Sequence, residues 1–404
     1  MARRRDGLTP IAAAFVAFGL FWGSWAVAVT DIKAAFRSSD AAIGSILSVG
    51  VLAGAGWNAI AGWLAHRWGV RRTLTRGTAL WALLLAIAVA VPERHDMLIP
   101  FAAVFAAVIA CGGGIDALMN VAAATDLAGR PGKLLRFHAL FNAGALVGAL
   151  AAGLAVDLGA SWRWSWALVA FAGAGVVWAV APRGVPAEGH APVPEPVAPW
   201  VAIAQLRRDG LVLLGILLAC TSLVEGGVDT WGVLYLRTAL ATGVLLGAGA
   251  YALGQGMAAL TRGAGGPAIG RIGTKWGVVA GALLCAAGLA LEATAPWSGP
   301  AAAGLALAAM GIAVTWPLLI SEGAERSGKP VLGVTGMTSF GYLGIVAGPV
   351  VIGWIASSAG LRSGILALAS LAAAVGLART FRSRKPRPTA MRPAGRQATD
   401  LLQG

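Results

Sequence analysis

The stretch VEGGVDTW, residues 224 to 231, follows an apolar run, and Glu225 and Asp229 are the two carboxylates within it. The fourteen residues LVLLGILLACTSLV, 211 to 224, carry no charge. A charge near the centre of a bilayer costs roughly 2.5 to 3.5 kcal/mol on insertion scales, so an acid at such a place pairs with a donor or exchanges a proton with water. From Leu211 to Glu225 a helix rises about 21 Å of a roughly 30 Å hydrocarbon core. Glu225 is therefore expected in the outer half of a membrane helix, and Asp229 near its outer mouth. The spacing of four puts both on one helix face if the helix continues, while Gly226-Gly227 between them offers the alternative of a break that would free backbone carbonyls. Proton coupling by Glu225, with Asp229 as a second group, is the chemistry this pattern suggests. The structural alternative is that Glu225 only pairs with a buried donor or caps a helix break.

Other polar groups stand inside apolar runs. Asp116 and Asn120 are four apart, as are His138 and Asn142, so each pair shares a helix face near the inner side. His138 has the side chain that titrates near neutral pH. Trp22, Trp25, Trp57, Asn58, Trp231, Gln255 and Tyr342 add the flat faces and amides that suit a sugar, and equally a flat drug. Most of the sixteen tryptophans are expected to be interfacial anchors, with Trp162, Trp164 and Trp166 as such a belt. His66, His95, His138 and His190 share no ligand spacing, and no phosphate-binding loop or nucleotide motif is present, so no enzyme, metal site or cofactor is expected.

The elements that must hold these residues are apolar helices. Of 404 residues, 58% are hydrophobic and 12% charged, against about 25% charged in soluble domains. Apolar runs of spanning length lie near residues 8–30, 41–65, 74–92, 97–123, 137–157 and 161–181, then 209–233, 239–261, 276–294, 299–321, 333–357 and 360–378. This is an all-α polytopic membrane protein with twelve helices in two sixes. The first bundle covers 1–181, a Pro-rich linker 182–208, the second bundle 209–380 and a basic, disordered tail 381–404. MARRR followed by an apolar segment resembles a signal peptide, but one cleavable segment does not account for the runs that follow, so it is read as the first helix. With both termini inside, the inner segments hold 25 of the 31 Lys and Arg, and the outer ones Lys33, Arg37, Arg94, Arg163, Arg237 and Arg362. That distribution explains the net charge of +14 without nucleic acid. Cys111, Cys220 and Cys285 lie in separate apolar runs and read as small packing residues.

Two inner loops repeat each other at an offset of 204 residues: Gly62, Arg67, Gly69 and Arg71 match Gly266, Arg271, Gly273 and Lys275. A weaker echo at an offset of 200 matches Gly144, Gly148 and Gly153 to Gly344, Gly348 and Gly353. The repeated loop, the helix count, the inner termini and the central linker together resemble the major facilitator superfamily. The segments Met119-Asn120-Val121, RFHALFNAGALVGA, VEGGVDTWGVLYLR and GYLGIVAGPVVIG look like a largely uncharacterised branch related to sugar permeases such as the fucose transporter. The resemblance implies two bundles rocking about a central site by alternating access. It also implies a gating role for the loops, including Arg72. The usual loop Asp is His66 in the first copy and Gly270 in the second, which weakens that role. The fifth-helix Pro motif of many proton-linked drug antiporters is missing, since Gly148 is followed by Ala149.

The expected function is proton-coupled secondary transport of a small organic solute, sugar-like or another polar metabolite, by a monomer in the lipid bilayer of the cytoplasmic membrane. Proton-coupled efflux of a drug or metabolite is the alternative direction. A non-transporting membrane receptor on the same fold is the alternative from another class.

Overall fold

The computed structural model describes residues 8–126, 131–183 and 198–381. The first half contains α1 (Leu8–Ala35), α2 (Asp40–Trp68), α3 (Val70–Ala90), α4 (Leu98–Asp126), α5 (Pro131–Asp157) and α6 (Arg163–Arg183). After α7 (Pro199–Arg208), the second half contains α8 (Val212–Ala239), α9 (Val244–Ala264), α10 (Gly266–Thr294), α11 (Ser298–Ile312), α12 (Thr315–Arg326), α13 (Pro330–Ala359) and α14 (Leu361–Thr380). Among the described residues, eleven helices are long and apolar enough to cross a membrane, with α11 and α12 forming one span interrupted at Ala313 and Val314. With α6, packed against α3 and α1, they make the twelve-helix arrangement of two sixes. Most of the Pro-rich linker, with His190, and the tail from residue 382 lie outside the described residues.

The repeat of 204 residues has a backbone cause. Gly69 closes α2 at φ 85° and Gly273 kinks α10 at φ 82°, both in the region that side-chain-bearing residues avoid. Both loop copies thus turn on a glycine that no other residue replaces without strain. Gly62 and Gly266, by contrast, face open space.

The weaker glycine echo marks helix crossings. Without a hydrophobic driving force between helices in lipid, close backbone approach is a main source of their association. A Cβ at Gly148 would lie 2.9 Å from the Leu20 Cα of α1, and one at Gly344 would lie 3.0 Å from the Ala219 Cα of α8. These crossings join helices within each half. Gly153 instead meets Ala248 of α9, and Gly353 meets Asp40 and Gly44 of α2, so the third glycine of each set joins the two halves.

Those two seams, α5 against α9 and α2 against α13, close the outer side. Pro349 interrupts the α13 ladder, and the N–H of the next residue, Val350, donates to Ser48 Oγ at 3.1 Å. The Ala41 N–H donates to Ser357 Oγ at 2.8 Å. Arg237 at the outer end of α8 donates both terminal nitrogens to Asp31 of α1, at 2.7 and 3.0 Å, and reaches the Val27 carbonyl at 3.0 Å. Arg237, one of the outer-segment cations, is thus a latch between the halves. On the cytoplasmic side three cations hold to their own half: Arg67 stacks on Trp63, Arg76 on Trp68, and Lys275 donates to the Thr380 carbonyl.

Three expectations need correction. Gly226-Gly227 does not break α8, which runs unbroken from Val212 to Ala239; Gly227 makes room for Leu368, and Gly226 faces open space. A neighbouring helix therefore explains the glycine better than a freed carbonyl does. Of the Trp belt, only Trp164 is exposed; Trp162 and Trp166 are buried with Phe101 and Phe105. Trp25, expected at the central pocket, is 1% exposed and stacked on Phe105 at 4.6 Å in the core of the first half.

The linker ends in a short amphipathic helix that its prolines did not suggest. Pro199 opens α7 at its first turn, where a missing N–H costs nothing, and Ala202 and Leu206 bury against α13. Asp209, just beyond, accepts from Ser327 Oγ at 2.7 Å, Gln205 Nε2 at 3.0 Å and the Gly328 N–H at 3.3 Å. Partial desolvation pushes its pKa up, but these three donors outweigh it and hold the carboxyl below its ordinary value.

Two outcomes follow. Gly148→Leu should lower the melting temperature of the detergent-purified protein, an overpacking cost of about 1 to 3 kcal/mol, whereas Gly249→Leu, which faces open space, should not. Equal melting temperatures would contradict the crossing. Because the folded pKa of Asp209 is depressed, its contribution is present above the unfolded value near 3.9 and is lost as pH falls through the folded one. Melting temperature followed from about pH 5 to 3 should therefore fall more steeply in the wild type than in Asp209→Asn.

Candidate functional site

The middle of the molecule is held by one polar chain. On α8, Glu225 and Asp229 lie one turn apart. On α9, Tyr251, Gln255 and Arg262 are spaced by four and seven, which a 3.6-residue period places on one face. From the other half, α5 contributes Asn142.

Arg262 is the branch point. Its Nη2 donates to Glu225 Oε1 at 2.9 Å, its Nη1 to Asn142 Oδ1 at 2.9 Å, and its Nε to the Ala313 carbonyl at the break between α11 and α12. Asn142 Nδ2 donates onward to Gln255 Oε1 at 2.6 Å, and Gln255 Nε2 to Asp229 Oδ1 at 3.1 Å. The Tyr251 phenol completes the group against Asp229 and Gln255. Every donor in this chain points from the guanidinium toward a carboxylate at either end, so both amides are used in a single consistent sense.

The location makes the pair matter. Glu225 stands at the midpoint of α8, deeper than the outer half expected for it, yet keeps 29% of its side-chain surface accessible. Its partner Arg262 lies on α9 and connects it to Asn142 on α5 of the other half. The ion pair also reaches across the halves, because the same guanidinium that holds Glu225 holds Asn142 of α5.

A second polar patch lines α2, α4 and α13. Asn58 Nδ2 donates to the Tyr342 hydroxyl at 2.8 Å, joining the halves again. Asn120 Nδ2 donates to Asp116 Oδ1 at 3.0 Å, so the spacing of four on α4 is used locally. Asn58 Oδ1 is buried without a hydrogen-bond partner among the described residues and faces Gly113, one turn from Asp116. Trp57 lies over Gly114, and Trp22, partly accessible, packs edge-on to Phe21 and Phe18.

The structure thus gathers Glu225, Asp229, Asn142 and Gln255 into one group, and Asn58, Tyr342, Asp116 and Asn120 into another. Trp231 is fully buried within α8 packing, which, like the burial of Trp25, takes it away from a solute. The His138 side chain lies outside the described residues. Arg262 and Tyr251 were missed: Arg262 had been counted as an inner-loop charge. The stripe Tyr251, Gln255, Arg262 was the available signal, since a cation two turns from a buried amide on the same face belongs to that face.

Residues 11–339 match the Major Facilitator Superfamily. The chain is 26% identical over 392 residues to membrane protein MosC of Rhizobium meliloti, covering 94% of this chain and 92% of that protein. It is 27% identical over 372 residues to an uncharacterized MFS-type transporter of Yersinia pestis, covering 89% and 92%. In three dimensions it resembles the nucleoside transporter NupG, at a TM-score of 0.72 and 15% identity, covering 94% of this chain and 98% of that one.

Removing one partner of this partly accessible pair leaves the other charge uncompensated in a largely desolvated place, whereas removing both leaves none. Arg262→Met should therefore lower thermal stability more than the double variant Arg262→Met with Glu225→Gln. A double variant as unstable as the sum of the single ones would show that the pair is not coupled.

Proposed function

The chain belongs to the major facilitator superfamily, and from that premise we propose that it couples a proton to the movement of a small polar solute across the cytoplasmic membrane by alternating access. The observation that carries this reading is the double engagement of Arg262. With Glu225 ionised, the guanidinium is held at 2.9 Å on the carboxylate and at 2.9 Å on Asn142 of the opposite half. A proton on Glu225 removes the charge that holds Arg262. The guanidinium then loosens from Asn142, and with it the contact between halves at this level. Asp229, tied to Asn142 through Gln255, is the second carboxylate that senses the same change.

The solute is of sugar or nucleoside size. Trp22 and Trp57 offer flat faces, and Asn58, Tyr342 and Asn120 offer donors and acceptors. Asp116 and Asp229 bias the cavity against anions, so a neutral polar solute fits its charge best. The nucleoside transporter of like fold is consistent with that size class. The repeated loops, with Arg67, Arg71, Arg72, Arg271 and Lys275, serve as cytoplasmic gates and come together when the outer seam opens. The chain acts as a monomer, since each half supplies part of the site. Export is the same exchange run in the other direction.

A thermal-shift panel of nucleosides, hexoses and pentoses on the purified protein identifies the probe, which is then followed in reconstituted vesicles with an imposed pH gradient. Glu225→Gln should abolish gradient-driven accumulation while leaving solute exchange intact. Accumulation that ignores the gradient in the wild type would sink proton coupling; accumulation unchanged in Glu225→Gln would remove Glu225 from it.

A further inference from the structure

Among the described residues, one fully buried acid stands apart from the polar chain. Glu292, in the last turns of α10, is 0% exposed, and both of its carboxyl oxygens are buried without a hydrogen-bond partner among the described residues. It is held from two sides by glycines. A Cβ at Gly304 of α11 would lie 2.6 Å from the Glu292 backbone nitrogen, which keeps that backbone against α11. A Cβ at Gly232 of α8 would lie 3.4 Å from Glu292 Oε1, so the carboxyl rests on α8 where that helix has no side chain.

That place on α8 is not arbitrary. At 100° per residue, positions 225, 229 and 232 fall within about 60° of one another, and they rise over about 10 Å of helix. Glu292 thus presents its carboxyl to the face of α8 that carries Glu225 and Asp229, one turn farther out than Asp229. The titratable groups in range of it are Tyr235 of α8 and Cys285, two turns earlier on α10; Glu225 lies in range of Cys285, and Arg362 at the start of α14 in range of Tyr235. The α11 segment SGPAAAGLALAAMGI holds no titratable residue. Tyr235 donates its hydroxyl to the Ala293 carbonyl at 3.2 Å and so covers the outer side of the site.

A carboxyl with no donor in a dry interior is tolerated as the neutral acid, because an isolated carboxylate there costs several kcal/mol. One carboxyl does not hold a metal ion, and no group of three His, Cys, Asp or Glu capable of doing so exists among the described residues. The cover over Glu292 is also clamped by a gate. Arg237, five residues beyond Gly232, ties the outer end of α8 to Asp31 of the other half. When that latch opens, the outer turns of α8 that bear Gly232 and Tyr235 are free to lift from Glu292.

We propose that Glu292 is a third proton-binding site, loaded from the outer side when the Asp31–Arg237 latch is open and sealed when it is closed. The proton adds to the carboxylate to give the carboxylic acid, and leaves by the reverse step to water. This inference rests on the reading of the protein as a proton-coupled alternating-access transporter, and it places a proton store outward of Asp229.

Infrared spectroscopy of the full-length protein in lipid vesicles tests it with protons and deuterons as the probes. At neutral pH the wild type should show a protonated-carboxyl C=O band that Glu292→Gln removes and that Glu225→Gln and Asp229→Asn leave in place. In deuterated buffer that band should shift slowly in the wild type and roughly tenfold faster in Arg237→Gln, since losing a charge-assisted latch raises the open population by that order. Arg237→Gln keeps Glu292 itself, so this arm stands even where Glu292→Gln folds poorly. A spectrum unchanged by Glu292→Gln, or equal exchange in the wild type and Arg237→Gln, would overturn the proposal. Vesicle accumulation that ignores the pH gradient while the band behaves as expected would refute coupling and leave the site standing.

Discussion

A single guanidinium inside the membrane organises this protein. Desolvating Arg262 is costly, and the cost is met by a carboxylate, an amide from the opposite half and a carbonyl exposed at the break between α11 and α12. Each partner comes from a different helix, so the arrangement constrains α5, α8, α9 and the tenth span together. Pro317, four residues after Ala313, has no N–H to give the Ala313 carbonyl, which leaves that carbonyl for Arg262 Nε.

Around this centre the two halves meet along seams built from small residues. Gly144 and Gly148 bring α5 onto α1, and Gly344 and Gly348 bring α13 onto α8, while Gly153 and Gly353 carry the same helices onto the opposite half. A helix that uses one glycine face inward and another across the seam links packing within a half to contact between halves. Small residues make such seams separable, because what is lost on opening is close van der Waals contact, with few buried charges to strand. Besides Arg262 on Asn142, a charge also crosses in the pair of Asp31 with Arg237, which stands at the outer mouth where water can solvate both groups once they part.

Much of the architecture was legible in the sequence because lipid imposes one rule on every span: its backbone must be satisfied within the helix. That rule converts apolar length into helices, charge asymmetry into orientation, and a Gly at two places 204 residues apart into two equivalent turns at φ 85° and 82°. Residue types inside the membrane were less legible. Sequence singled out Glu225, Asp229, Asn142 and Gln255 as polar groups in apolar surroundings, and the structure joins them. It could not say that Trp25 and Trp231 are buried packing residues while Trp57 lies over Gly114 and stays partly accessible, because aromatic rings serve both purposes and no periodicity separates them. Nor did a helix end distinguish Arg262 from a loop cation: two residues from the end of α9, its long side chain reaches either water or Glu225.

By itself, then, the sequence determined the all-helical membrane fold, its division into two related sixes and the presence of acids where they are costly, since all three follow from composition and spacing along the chain. Tertiary structure decided which cation answers Glu225, that Gly226-Gly227 continues α8, that Arg237 bolts the outer mouth, and that Glu292 sits alone against Gly232. Those depend on which faces of distant helices meet. Pairings between residues tens to hundreds of positions apart leave no mark on local periodicity, and only the packed bundle supplies them.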